Sequence, residues 1–210
     1  MSSTSEQTNQ PTTTADAAAS SHATERNWLL RTMPAEERLR LRAHLEPFVL
    51  EPMQLLAEPD RPIPHVHFPE GSIISLLRRM ADGSLIENGT VGMEGMAGLP
   101  LFFDVEWSIG MITGQIPGPS LRMEAGAFRA LLPELPGLQA LLRRYTAFLM
   151  TQTAQSVACN GFHTIEQRCA RWLLMTHDRV PGDEFELTHE VLAQMLAVRR
   201  AGVTEAAGAM

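Results

Sequence analysis

The 210-residue chain contains no lysine: all 17 of its basic residues are arginines, set against 24 carboxylates for a formal net charge of −7. That balance excludes indiscriminate nucleic-acid binding through a broadly basic surface, so any DNA contact has to come from a local patch. Arginine alone still supplies phosphate contacts and bidentate base contacts, so the missing lysine leaves function open. Cysteine is scarce too. Cys159 and Cys169 are too few for a disulfide framework and fewer than an iron–sulfur cluster normally requires. Such thiols are most often small buried hydrophobes. No apolar run approaches the ~20 residues of a membrane span, and the N-terminus lacks the apolar core of a signal peptide. A soluble, cytoplasmic protein with no membrane partner is expected. Also missing are a Gly-rich phosphate loop, a metal-ligand quartet and a Gly-x-Ser-x-Gly elbow, which speaks against the enzyme classes those motifs mark and for a non-enzyme.

What is present changes texture along the chain. Residues 1–24 are rich in Ser, Thr, Ala and Gln, with no aromatic residue and no Leu, Ile or Val, so they cannot bury enough surface to offset ordering entropy. A disordered tail is expected there. Short helices follow from Asn27, around Trp28–Leu30 and after Pro34. From Pro47 to Glu124, strand-sized apolar runs are separated by Pro and Gly: Phe48–Leu56, Ile63–Phe68, Ser72–Arg78, Leu85–Val91, Ile109–Ile116 and Ser120–Met123. Asp82-Gly83 reads as a hairpin turn with positive φ at both positions. Such spacing suggests a sandwich, roll or barrel, which suits a sensor or binding module as well as a purely structural β-domain. The segments divide into a β-domain over 25–132, a long helix over 133–159 and a helical domain over 160–210.

In the long helix, Leu138, Leu141, Tyr145, Phe148, Gln152 and Gln155 follow alternating steps of three and four residues. This stripe suits helix pairing, or packing on the chain's own β-domain. Asn160-Gly161 is expected to break the helix. Thr164 and Gln167 have capping-box spacing for the next one, which is expected to bury Ile165, Cys169, Trp172 and Leu173 and to close at Arg179 and Pro181-Gly182. Phe185 and Leu187 alternate with Glu184 and Glu186 like a short strand.

The final stretch, LTHEVLAQMLAVRRAGVTEAAGAM over Leu187–Met210, reads as two short helices joined by a tight turn. Thr188 is a good N-cap, Glu190 sits in the first turn, and Val191, Leu192, Met195 and Leu196 form an inward stripe. After Ala197, Val198 and Arg199, a second helix places Val203, Ala206, Ala207 and Met210 on one face. Its other face carries Arg200, Ala201, Thr204, Glu205 and Gly208. Paired helices with a three- to four-residue turn place a recognition helix in a DNA major groove, and they also occur in ordinary helical subdomains.

The order of these elements resembles the Crp/Fnr family of transcriptional regulators. ACNGFHTIEQRCARWLLMTHDRV (Ala158–Val180) followed by LTHEVLAQMLAVRRAGVTEAAG is similar to that family's DNA-binding domain. HFPEGSIISLLRRMADGSLIENGTVGMEGMAGL (His67–Leu99) is similar to the β-roll of an uncharacterised branch of it. The resemblance covers about Trp28 to Met210. It implies an α+β fold with an N-terminal cyclic-nucleotide-binding-like β-roll, a dimerisation helix and a C-terminal helix-turn-helix. It also implies a homodimer that binds double-stranded DNA and works with RNA polymerase, pairing through Leu138, Leu141, Tyr145, Phe148 and Gln152. The family's pattern puts Arg200, Ala201 and Glu205 at base-facing positions beside Thr204, and Thr188 and Arg199 at phosphate-contacting ones. Arg200 would give a bidentate contact to guanine, and Glu205 would accept from a cytosine amino group or orient an arginine.

The sequence departs from that pattern in several places. Ala197 stands where the family's turn usually has Gly, Gly202 replaces a hydroxyl residue, and the sequence stops at Met210, before the expected wing. A shortened form that binds DNA poorly is therefore expected, and a ligand-binding or interaction module that has lost DNA binding is the alternative. Family members that bind cyclic nucleotides use a Gly-Glu pair and an Arg. Here no Arg occurs between Arg79 and Arg122, Gly98-Leu99 stands where Gly-Glu is expected, and Glu94 fits only in a shifted register. Cyclic AMP is not expected to bind in the usual manner; no cofactor is assigned, and the effector is unnamed. A haem or metal sensor would draw on His65, His67 or Cys159, since His-x-His in a strand points both imidazoles to one face, although surface or core histidines are the commoner outcome.

Overall fold

The computed structural model of the protein describes residues 25–209. The tail expected over 1–24 and the terminal apolar position Met210 lie outside the described residues. The chain enters through two short helices, α1 (Trp28–Thr32) and α2 (Ala35–Arg42). Asn27 caps α1 by accepting from the Leu29 and Leu30 amides, and its own amide group donates to Pro69 O and Gly95 O. A buried side chain that satisfies two helical donors and two loop carbonyls ties the entry helices to the β-domain.

Seven strands follow: β1 (Glu46–Leu50), β2 (Leu55–Ala57), β3 (His65–Pro69), β4 (Ile73–Arg79), β5 (Leu85–Val91), β6 (Met111–Ile116) and β7 (Gly118–Glu124). They form two antiparallel sheets, one ordered β1-β7-β3 and the other β2-β6-β4-β5. The run Phe48–Leu56, expected as a single strand, is two strands in different sheets. Pro52 has no amide for a ladder, and Met53 turns the chain with φ of 56° while its amide reaches Gly114 O. The β4–β5 turn also differs from expectation. Only Gly83 takes a positive φ; Asp82 instead accepts from the amide and hydroxyl of Ser84, so the connection is a longer Asx-type loop.

After β7 come α3 (Ala125–Leu131) and the long helix α4 (Pro136–Phe162). Glu37 of α2 caps α4 from outside, its carboxylate accepting from the Gly137 and Leu138 amides at 2.9 and 3.0 Å. Between the sheets and α4 lies the main core, built on Leu50, Val66, Phe68, Ile74, Leu121 and Phe128. From α4, Leu138, Leu142 and Tyr145 enter that core, and Gln152 donates to the Thr90 carbonyl and hydroxyl.

This placement leaves only part of the expected pairing stripe on the surface. Leu138, Tyr145 and Gln152 are buried inside their own chain, so a partner cannot reach them; Leu141 is partly buried and Phe148 is exposed. The three-four stripe that the helix does bury is Leu138, Leu142, Tyr145, Gln152 and Cys159. Nor does Asn160-Gly161 break α4. Both residues are exposed and helical, and the helix ends only at Phe162, where His163 turns to extended backbone.

Three helices complete the chain: α5 (Ile165–His177), α6 (His189–Leu196) and α7 (Arg200–Ala209). The Thr164–Gln167 capping box forms as expected. Residues 185–187, expected as a strand, form none; Phe185 and Leu187 pack onto the helical core instead and find no strand edge. That second core joins Cys169, Trp172, Leu192, Met195, Leu196, Val203 and Ala206 to Leu77 of β4, with Leu85 and Met111 packed against it. The helical domain thus rests on the outer face of the four-stranded sheet.

Candidate nucleic-acid interface and sensor cavity

The helix pair is built from ordinary local rules. The Thr188 hydroxyl accepts from the Val191 amide at 3.2 Å and starts α6. Leu192, Ala193, Met195 and Leu196 turn inward. Ala197 then adopts a left-handed conformation, with φ of 53° and ψ of 46°, and the Ala197 and Val198 amides return to Gln194 O and Ala193 O. That geometry is the reason glycine suits this position; an alanine holds it at a cost on the order of 1 kcal/mol. The Arg168 guanidinium donates to Leu196 O, satisfying one of the orphan carbonyls at the end of α6.

In α7, Val203 and Ala206 are fully buried. Gly202 faces α5: a Cβ there would lie 3.3 Å from Ile165 Cδ1, so the missing side chain allows close approach of the two helices. Arg199, Arg200, Ala201, Thr204 and Glu205 are all exposed, as is Thr188 at the start of α6. The Thr204 hydroxyl donates to Arg200 O at 3.1 Å and lies 3.3 Å from His189 Nδ1, linking the outer face of α7 to the first residue of α6. Among the described residues, no carboxylate pairs with Arg199 or Arg200. Two exposed guanidinium groups thus stand together at the positive end of a helix dipole, a local concentration of positive charge on an acidic chain.

Two polar links hold this domain to the β-roll, and neither stands out in the sequence. At the first, the Glu87 carboxylate of β5 accepts from Ser75 Oγ at 2.7 Å, Gln115 Nε2 at 2.5 Å and Trp172 Nε1 at 2.9 Å. Two donors belong to the roll and the third to α5. At the second, Arg179 Nε donates to Glu94 Oε1 at 2.8 Å, both side chains being only 11% exposed. In a sequence, a lone Glu in a strand or a lone Arg after a helix looks like a solvated surface position. Only the long-range contact reveals either.

Burial pushes the Glu87 carboxyl up from 4.5 to about 7, against the three hydrogen bonds that favour its charged form. The folded protein therefore holds this proton more tightly than the unfolded chain does. The associated stability is full below about pH 4.5 and is lost as pH rises through about 7, with a slope of up to ~1.4 kcal/mol per pH unit. Glu87→Gln removes the titration, so urea midpoints of this variant should vary less across that window than those of the wild type. An unchanged slope would take the effect away from Glu87.

A half-open pocket of about 280 Å³ lies between β4, the 96–100 loop, the start of β6 and α4. Its walls bear directly on the cyclic-nucleotide expectation. Glu94 is not among the lining residues, being committed to Arg179, and the only lining arginine, Arg78, donates to Ile109 O at 2.5 Å. His67 is buried edge-on to Phe48, its ring centroid 6.1 Å from that of His65, and burial, followed by the charges of His65 and Arg122, holds its pKa at about 3. No group of three or more metal-capable side chains occurs among the described residues. Nor is any described helix long and apolar enough to cross a membrane.

No known family profile and no curated protein matches the chain. Solved structures do. The chain is similar to the c-di-GMP responsive global regulator CLP of Xanthomonas campestris at 14% identity and a TM-score of 0.65, over 84% of this chain and 91% of that one. It is similar to a Crp/Fnr-family regulator from Eubacterium rectale at 12% identity and a TM-score of 0.65, over 85% and 84% of the two chains. A CRP-family regulator from Thermus thermophilus matches at 17% identity and a TM-score of 0.62, over 77% and 83%. With its β-roll, long helix and terminal helix-turn-helix in that order, the chain has the α+β fold of the Crp/Fnr transcriptional regulators.

Proposed function

We propose that this protein is a dimeric, DNA-binding transcriptional regulator of the Crp/Fnr type and not an enzyme, with a β-roll that reads a signal other than cyclic AMP bound in the usual way. The observation that carries this reading is the helix-turn-helix surface: all six candidate contact residues are exposed, with Arg199 and Arg200 at the start of α7. Arg200, Ala201, Thr204 and Glu205 face the groove, while Arg199 and Thr188 hold phosphates. Thr188 accepts from Val191 through its oxygen, which leaves its hydroxyl proton for a phosphate. The copies pair through α4, on the face opposite the one buried in the core. RNA polymerase is the partner through which a bound regulator of this type acts.

Mobility-shift titrations of full-length protein test the reading. Affinity should fall steeply with salt. Arg200→Ala should cost ~1–3 kcal/mol and relax preference at one base pair. Arg199→Ala should weaken all sequences about equally and lower the salt slope by about one. If no salt-sensitive DNA affinity appears, the regulator reading fails and the interaction-module alternative takes its place; equal losses on selected and random DNA for both variants would reject the base-reading role of Arg200.

A further inference from the structure

Outside the roll, a half-open pocket of about 50 Å³ lies between β5, the last turns of α4, α5 and the 195–197 turn. Two guanidinium groups line it, those of Arg168 and Arg171, set three residues apart on α5 and therefore neighbours on one helix face. Like charges at that spacing repel, and among the described residues neither arginine forms an ion pair. Most of their donors are also unspent. Arg168 gives one terminal N–H to Leu196 O, while its Nε is buried without a partner. Arg171 has a single long bond of 3.4 Å, to Ser156 Oγ. Asn160, exposed at the rim, makes no side-chain hydrogen bond among the described residues. The one acid among the lining residues, Glu87, pairs with neither arginine: its oxygens are taken by Ser75, Gln115 and Trp172, and burial favours its neutral form.

We propose that this pocket binds one small inorganic oxoanion of the sulfate or phosphate type, held between Arg168 and Arg171 where the long helix meets the helix-turn-helix. A tetrahedral oxoanion carries acceptors on every side, so it can take charge-assisted bonds from two guanidinium forks and the Asn160 amide at once. It would also satisfy the buried Arg168 Nε, a donor that is costly to leave unmet. The C-terminal ends of α4 and α6 approach the same pocket, each carrying about half a negative charge, which the two full guanidinium charges exceed. Size narrows the ligand further. A water takes about 30 Å³ of liquid volume, so the pocket holds a water or two or one small ion, and nothing as large as a nucleotide. Because Arg168 also holds Leu196 O at the end of α6, a bound ion braces the turn between the last two helices against α4. The site stands on the pocket alone and does not depend on DNA binding.

Isothermal titration of full-length protein with sodium sulfate tests the site, at about pH 6 where Glu87 keeps its proton and at an ionic strength held constant. One saturable site per chain is expected, in the millimolar range or tighter, with chloride at least about ten-fold weaker because a single atom cannot bridge two guanidinium forks. Arg171→Gln keeps the length and removes the charge, and should weaken sulfate at least about ten-fold. Asn160→Asp places a carboxylate at the rim on an exposed position where the fold is not at risk, and should weaken it several-fold even if the arginine variant fails to fold. Absence of a saturable site, equal affinity for chloride, or a sulfate affinity untouched by the folded variants would each overturn the assignment. Displacement of sulfate by duplex DNA would give the two arginines to a backbone phosphate and overturn the free-ion site, whereas sulfate bound equally with and without duplex supports it. Mobility shifts on the same samples separate this site from the regulator reading. Retained DNA binding without sulfate binding overturns the oxoanion site and leaves the regulator; sulfate binding without any DNA binding supports the site and overturns the regulator.

Discussion

Arg179→Ala is expected to lower the unfolding free energy by about 3–5 kcal/mol, a large fraction of the stability of an ordinary domain. Three partners depend on that guanidinium. Nε holds Glu94 Oε1 at 2.8 Å, one terminal nitrogen donates to Met175 O at 2.7 Å, and the other to Gln152 Oε1 at 3.2 Å. They belong to the 92–95 turn of the roll, to α5 and to α4, so one side chain joins the β-roll, the C-terminal helices and the long helix. Gly92 shows how closely the arginine is packed, since a Cβ there would fall 2.7 Å from Arg179 Cδ. Truncation leaves Glu94 buried without a counter-charge, which costs more than the intact pair contributes. The double variant Arg179→Met, Glu94→Leu should recover most of the loss, because it removes both charges and keeps the volume. Urea unfolding followed by tryptophan fluorescence and by circular dichroism measures both. A single-variant loss below about 1 kcal/mol would show that the pair is not a structural link.

The parts of this fold that follow from local chemistry were legible, and those that depend on distant partners were not. Thr164 with Gln167, Thr188 and the inward residues of α6 obey capping and periodicity rules that operate within a few residues, as do Val203 and Ala206 of α7, whereas Ala207, also expected inward, is exposed. The expected cost at Ala197 also follows from one backbone angle. The run Phe48–Leu56 looks like one strand because its apolar pattern continues across Pro52, where the chain leaves one sheet for the other. Which stripe of α4 faces the core was not legible for a subtler reason. Apolar residues occur around much of α4, so several three-four stripes can be drawn, and only contact with Thr90 and the roll core decides which one is inside. Glu87 and Arg179 were invisible because each finds its partner 85 residues away. No window of sequence contains both ends of such a contact.

The stripe of α4 that faces away from the core carries the other large expectation. Met150→Glu combined with Val157→Glu should convert a dimer to a monomer and lower affinity for a two-fold-related DNA site by roughly 10²–10⁴-fold. On the face of α4 away from the core, Ala147, Met150, Ala154 and Val157 follow three-four spacing, and Met150 and Val157 are 69% and 68% exposed. Alternating alanines let two helices approach closely while the larger residues supply the apolar contact, and a helix of 27 residues is about 40 Å long. Carboxylates placed on that seam would face each other across the symmetry axis without counter-charge, whereas in one isolated chain they would point into water and leave the fold intact. Each monomer would then bring one recognition helix to half a site and lose the effective concentration that pairing provides. Sedimentation velocity and mobility shifts on the same preparation read both effects. Phe148→Glu is the control that separates the two stripes: at 45% exposure it borders the groove beside Trp28 rather than this seam, and it should leave the dimer intact. A dimer that survives the double change but falls apart with Phe148→Glu would return the interface to the face of Leu141 and Phe148.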